Sequence, residues 1–94
     1  MSEVSDMSEH ETLPSIDFAT FILSLSHSAL MHLGEVPDPD TNATNVDLGL
    51  AKQNVDILGL LEEKTKGNLT GDEERLLAQV LFDLRMRYVE KSKK

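Results

Sequence analysis

Apolar residues recur at helical spacing in three separate stretches of this chain, and they predict three α-helices. The stretches run over residues 16–33, 46–66 and 71–91. Glycine, proline and asparagine, which favour turns, occur in the segments that separate them. We therefore predict an all-α fold, with a single helical domain over residues 16–91.

The clearest local signal lies between helices two and three. Gly67 is placed where a glycine can adopt the left-handed conformation that closes a helix end. Thr70 and Glu73 have the spacing of a capping box, in which each side chain accepts a hydrogen bond from the other residue's backbone amide. A link of about three residues favours antiparallel neighbours, so we predict that helices two and three form an antiparallel hairpin.

Shorter patterns predict the other helix ends. Ser15 is the expected N-cap of helix one, with Asp17 in its first turn. Gly34 is expected to end that helix. Thr44 and Asp47 have capping-box spacing at the start of helix two.

Charge is unevenly placed along the chain, which has a net charge of -8. Residues 1–45 contain eight acidic residues and no Lys or Arg, whereas residues 85–94 contain five basic residues and one acidic residue. We expect residues 1–15 to be a disordered acidic tail and residues 92–94 a basic tail. Because phosphate repels an acidic protein, we predict no nucleic-acid partner. A local contact through the basic end is the weaker alternative, and its residues are Arg85, Arg87 and Lys91.

Helix one contains no charged residue from Phe18 to Gly34. A membrane span needs roughly 20 apolar residues, and this run is shorter and contains serine, threonine and histidine. We therefore predict a buried amphipathic helix and no membrane span. The acidic start does not resemble a secretory signal, and the chain has no cysteine. Both features favour a cytoplasmic protein.

Candidate chemistry is confined to the polar side of helix one, where His27 and Ser28 lie. Nucleophilic catalysis needs a base within reach of the serine, an orienting group and an oxyanion hole, which side chains along one helix seldom provide. His27 and His32 point about 140° apart on a regular helix, so one helix cannot present both to one metal ion. We predict no enzymatic activity and no cofactor or metal. A small-molecule or metal site on the His27/Ser28 side is the alternative.

The apolar surface exceeds what a small three-helix core needs. Helix one is apolar over most of its circumference, and helix three has a second apolar flank that comprises Leu76, Phe82, Met86 and Val89. Surplus apolar surface on a small protein usually indicates a partner. We predict an interaction module that forms a homodimer or docks on another protein, with helix one supplying much of the interface. The candidate interface residues are Phe18, Phe21, Ile22, Leu25, Asn54, Phe82 and Met86.

Asn54 interrupts the apolar stripe of helix two. A buried amide can specify register or oligomeric state at a cost in stability. At the edge of the stripe, the same side chain would reach water instead. The sequence leaves both interpretations open.

One long run of this chain resembles a known family. The residues that carry the resemblance are 52–70, 73–77 and 83–88, and the upstream segment 16–25 is also similar. The family is a small bacterial one, catalogued as domain of unknown function 1844, and the resemblance covers residues 16–90. It implies a bacterial, mostly helical protein. It implies no activity, cofactor or catalytic residue.

Overall fold

The computed structural model describes residues 15–93, which contain three α-helices. Helix α1 spans Phe18–His32, α2 spans Leu48–Lys64 and α3 spans Gly71–Ser92. Each helix contacts the other two. The predicted all-α, three-helix fold is confirmed. The expected disordered tail lies outside the described residues except for Ser15, and so does the last residue of the basic tail.

Two helices begin at a different capping residue from the one predicted. Asp17 is the N-cap of α1, where the backbone N–H of Thr20 donates to its Oδ1 atom at 2.8 Å. Asp47 is the N-cap of α2 and accepts from a backbone N–H three residues later at 3.1 Å. The predictions of a Ser15 cap and of a Thr44–Asp47 capping box were wrong. In both cases a carboxylate satisfies the free amide and also complements the positive end of the helix dipole.

The predicted capping box at the start of α3 is confirmed. The backbone N–H of Glu73 donates to Thr70 Oγ1 at 3.1 Å, and the backbone N–H of Thr70 donates to Glu73 Oε1 at 2.9 Å. Gly67 has a φ of 86°, in the left-handed region expected for it. Helix α2 ends two residues earlier than predicted, at Lys64.

The contacts between α2 and α3 run in reversed order along the two helices. Gly59 lies beside Arg85, such that a Cβ atom added at Gly59 would be 3.2 Å from Arg85 Nη2. Glu62, later in α2, borders a groove together with Glu74 and Arg75, which are earlier in α3. An antiparallel hairpin requires this order, and the hairpin itself stays a prediction.

Gly34 ends α1 as predicted, and it does so through a Schellman motif. Its φ is 77°. The backbone N–H of Gly34 donates to the carbonyl of Met31 at 3.0 Å, and that of Glu35 donates to the carbonyl of Leu30 at 2.9 Å. These two bonds satisfy carbonyls that the end of a helix would otherwise leave unpaired.

The core lies where the apolar stripes of the three helices meet. Leu76 packs against this core, so it does not belong to the outer flank of helix three in which the sequence pattern placed it. Buried core residues come from every helix and from the cap of α1. They are Ile22, Ala29, Leu33, Ala51, Val55, Leu58, Leu77, Leu81 and Leu84.

Helix α1 is 15 residues long and buries Ile22 and Ala29. A helix of this length rises about 22 Å, whereas the hydrocarbon part of a bilayer is about 30 Å thick. Over residues 15–93, none of the helices has the combination of length and apolar character that crossing a membrane requires.

Candidate functional site

Helix α3 carries apolar residues on two opposite sides. Leu77 belongs to the core, and Phe82, five residues later, lies about 140° around the helix from it. Phe82, Met86 and Val89 are 68%, 55% and 50% exposed. We name these three residues, together with Ala78, the outer stripe. The stripe follows the face of α3 that points away from the core.

The outer stripe lies in one shallow groove with a charged rim. The groove is also lined by two basic residues, Arg85 and Lys93, and by two acidic residues, Glu62 and Glu90. Within residues 15–93, neither Arg85 nor Lys93 takes part in an ion pair. An apolar centre with a polar, charged rim is the composition of a protein–protein interface.

Exposed apolar residues outside the outer stripe do not form a comparable surface. Leu60 on α2 is 54% exposed, nearly the same as Met86. Ile57, three residues earlier, is 40% exposed, but the other neighbours one turn away, Asp56, Glu63 and Lys64, are charged and exposed. Scattered exposed apolar residues of this kind are normal in folded proteins. The outer stripe differs because its members are contiguous.

Most apolar residues of helix α1 are partly or fully buried within this chain. Ile22 is fully buried in the core, and Phe18 and Leu25 pack against it. Phe21 and Leu23 are 41% and 52% exposed. Of the candidate interface residues on α1, the structure therefore leaves mainly Phe21 available to a partner. The outer stripe on α3 is more exposed than Phe21 at each of its three large residues.

Asn54 combines features of both interpretations that the sequence left open. Its side chain is half-buried, as expected at the edge of a stripe. Its Nδ2 atom is nevertheless buried, and no acceptor among the described residues lies within hydrogen-bond distance. A buried donor without a partner destabilises the fold by about 1–3 kcal/mol.

Two of the four basic residues at positions 85–93 are paired with carboxylates. Glu35 Oε1 accepts a hydrogen bond from Arg87 Nη1 at 3.3 Å, and Glu35 Oε2 lies 3.5 Å from Lys91 Nζ. Arg87 Nε also donates to Asp83 Oδ2 at 2.8 Å. This hydrogen bond, with the attraction of both carboxylates, raises the pKa of Arg87. Of the three residues considered for nucleic-acid contact, Arg85 alone forms no ion pair within residues 15–93.

The sequence pattern gave no sign of the Glu35 contacts, because 52 positions separate Glu35 from Arg87. The nearby Asp83–Arg87 pair is four positions apart on one helix, and such pairs follow from helical spacing alone. Ion pairs between distant segments need the fold to bring them together.

His27 is exposed and Ser28 is half-buried on α1. In the part of the chain that the structure describes, no group of three or more His, Cys, Asp or Glu side chains could hold a metal ion. The structure thus adds no ligand set to the alternative of a metal site on this side of α1.

A family model described as a domain of unknown function, DUF1844, matches residues 15–90. The match covers most of the chain. This protein belongs to the DUF1844 family. The resemblance seen in the sequence is therefore confirmed. No curated protein and no solved structure matches the chain. Because the family description names no activity, any functional proposal for this member depends on its surface.

Proposed function

We propose that this DUF1844 protein is a non-enzymatic helical interaction module that binds other protein chains through the outer stripe. We also propose that it forms a homo-oligomer. The observation that carries the proposal is the contiguous exposure of Phe82, Met86 and Val89 on the side of α3 opposite the core. A ridge with this spacing fits the groove between side chains of another helix. We also propose a location in the bacterial cytoplasm, which the absence of cysteine favours.

The energy available from the outer stripe indicates what the partner must provide. Complete burial of a Val, Phe or Met side chain contributes about 1.5–3 kcal/mol of favourable free energy. Phe82, Met86 and Val89 are each at least half exposed, so a partner can still bury about half or more of each side chain. One stripe therefore offers about 2.5–5 kcal/mol. Association costs at least about 4 kcal/mol in lost translational and rotational freedom. The partner must accordingly contribute an apolar surface of its own.

Photo-crosslinking in cells tests this proposal. A benzophenone-bearing amino acid is placed at position 86 in one variant and at position 60 in another. Leu60 is the matched control for Met86, because the two residues are 54% and 55% exposed and only Met86 lies in the outer stripe. We expect crosslinks to a polypeptide from position 86 and none above background from position 60. Equal crosslinking from the two positions, or none from position 86, would refute the proposal.

A further inference from the structure

We infer that Glu35 is a positioning residue that clamps the end of α3 and so keeps the Val89 end of the outer stripe helical for a partner. The clamp consists of Glu35, Arg87 and Lys91. Glu35 Oε1 lies 3.3 Å from Arg87 Nη1, and Glu35 Oε2 lies 3.5 Å from Lys91 Nζ. Where it concerns a partner, the inference rests on the proposed function, because the partner would bind the same surface.

Glu35 is anchored to α1, so it can restrain a second helix. Its backbone N–H donates to the carbonyl of Leu30 at 2.9 Å, within the motif that ends α1. Leu33, two residues earlier, is fully buried in the core. Because this backbone position is already ordered, only the side chain of Glu35 loses conformational freedom when it binds Arg87 and Lys91.

The end of α3 has few other restraints. Among residues 15–93, Tyr88 is the last residue of α3 that belongs to the core or packs against it, yet the helix continues to Ser92. Val89 is 50% exposed. A terminal helical turn without core contacts opens at a low free energy, since helical hydrogen bonds alone are marginal in water. A contact from outside α3 therefore has a large relative effect on this turn.

The clamp and the outer stripe lie on opposite sides of the same turns of α3. Lys91 follows Arg87 by four residues, so the two side chains share one face of the helix. Val89 lies two residues from each of them, which places it about 160° around the helix from both. The clamp therefore restrains the end of α3 from behind and leaves the outer stripe open to a partner.

The strength of the clamp follows from its exposure. The side chains of Glu35, Arg87 and Lys91 are 31%, 42% and 30% exposed, and an ion pair between partly exposed groups is weak. The negative end of the α1 dipole also opposes a carboxylate at position 35. Both ion pairs share this carboxylate, however, so both are lost with it. We expect its loss to favour the open end of α3 by about twofold to tenfold.

Amide hydrogen exchange of the purified full-length protein, followed by NMR, tests the clamp. In Glu35→Gln, protection at positions 90–92 should fall by about twofold to tenfold. Protection of Arg75 and Leu76, near the start of α3, should stay unchanged. Asp56→Asn is the matched control, because it removes an exposed ion pair to Lys52 on α2 by the same kind of substitution. It should not change protection at positions 90–92.

A double-mutant cycle tests whether Glu35 acts through its charged partners. Lys91→Gln alone should also lower protection at Glu90, whose amide lies in the turn that the clamp holds. In the Glu35→Gln background, the same change should lower it by a smaller factor, because the ion pair is already lost. Equal factors in the two backgrounds would show that Glu35 and Lys91 act independently, which would overturn the clamp.

Photo-crosslinking connects the clamp to the outer stripe. A benzophenone-bearing amino acid is placed at position 89 in one variant and at position 82 in another, each with and without Glu35→Gln. Apparent affinity falls with the fraction of molecules in the binding-competent state. We therefore expect Glu35→Gln to lower the yield at position 89 by about twofold relative to the yield at position 82. Residue 82 should be insensitive because Leu81 and Leu84, on the same stretch of α3, are buried in the core.

Two further results would overturn the inference. Protection at positions 90–92 that changes no more in Glu35→Gln than in Asp56→Asn would show that Glu35 does not hold the end of α3. Faster exchange with an unchanged ratio of crosslinks from positions 89 and 82 would show that the clamp does not position the stripe. Hydrogen exchange requires no partner, whereas an absence of wild-type crosslinks from position 86 refutes the proposed function, so the two failures are distinguishable.

Discussion

Replacement of Asn54 by leucine should stabilise the protein. The Nδ2 atom of Asn54 is buried and has no hydrogen-bond acceptor among the described residues, which costs about 1–3 kcal/mol. Leucine has the same number and branching of side-chain heavy atoms and no polar atom, and it is a better helix former by a few tenths of a kcal/mol. We therefore expect Asn54→Leu to raise the free energy of unfolding by about 1–3 kcal/mol. For a domain of this size, each kcal/mol corresponds to a rise of about 4–8 °C in Tm.

Urea unfolding monitored by far-ultraviolet circular dichroism measures the effect of Asn54→Leu. The measurement is made at two protein concentrations, because self-association would add to apparent stability. Gln53→Leu is the matched control, since residue 53 is exposed on the same helix. It should change stability by only a few tenths of a kcal/mol. Asn54→Asp should destabilise the protein, because it places a charge at a half-buried position.

A neutral or destabilising effect of Asn54→Leu, with an unaffected Gln53→Leu control, would refute this reasoning. It would mean that the amide gains a compensating hydrogen bond in solution. A gain of the expected size would also show that Asn54 is retained at a cost to stability. That result would direct attention to its effect on register or association.

Two further predictions concern helix ends. Gly34→Ala and Gly67→Ala both place alanine at a positive φ, of 77° and 86°, which costs about 1–2 kcal/mol. At Gly34, the new Cβ would also lie 2.8 Å from Cγ2 of Val46, whereas at Gly67 nothing lies within 4 Å. Gly34→Ala should therefore destabilise the protein by about 1 kcal/mol more than Gly67→Ala in urea unfolding, and addition of Val46→Ala should remove that difference. Equal losses at the two glycines would contradict the steric argument. Asp17 has a lowered pKa because its carboxylate accepts a hydrogen bond from the backbone N–H of Thr20. Its contribution to the free energy of unfolding is therefore fully present above the unfolded pKa of about 3.9. That contribution is lost as the pH falls through the lower folded pKa. Asp17→Asn keeps a hydrogen-bond acceptor at the cap but does not titrate. The urea midpoint of this variant should therefore fall less than that of the wild type between about pH 5 and pH 2. If the two urea midpoints fall in parallel with pH, Asp17 does not contribute to the pH dependence of stability.

Local sequence was sufficient at the link between α2 and α3, where the interacting groups are a few residues apart. The Thr70–Glu73 capping box and the left-handed Gly67 follow from patterns within one or two helical turns. The starts of α1 and α2 were harder to predict, because Ser15 and Asp17 are both acceptable N-caps. The structure selects Asp17, whose carboxylate accepts the backbone hydrogen bond of Thr20.

The sequence by itself determined that three amphipathic helices would form and that their apolar surface would exceed one core. It could not determine which apolar residues would remain outside. Ile22 and Phe82 are both large apolar residues at helical spacing, yet Ile22 is fully buried and Phe82 is 68% exposed. The reason is physical, because burial belongs to a contact between elements and not to a residue type. Only the packing of α1 and α2 against one side of α3 decided that its other side, the outer stripe, would face outward.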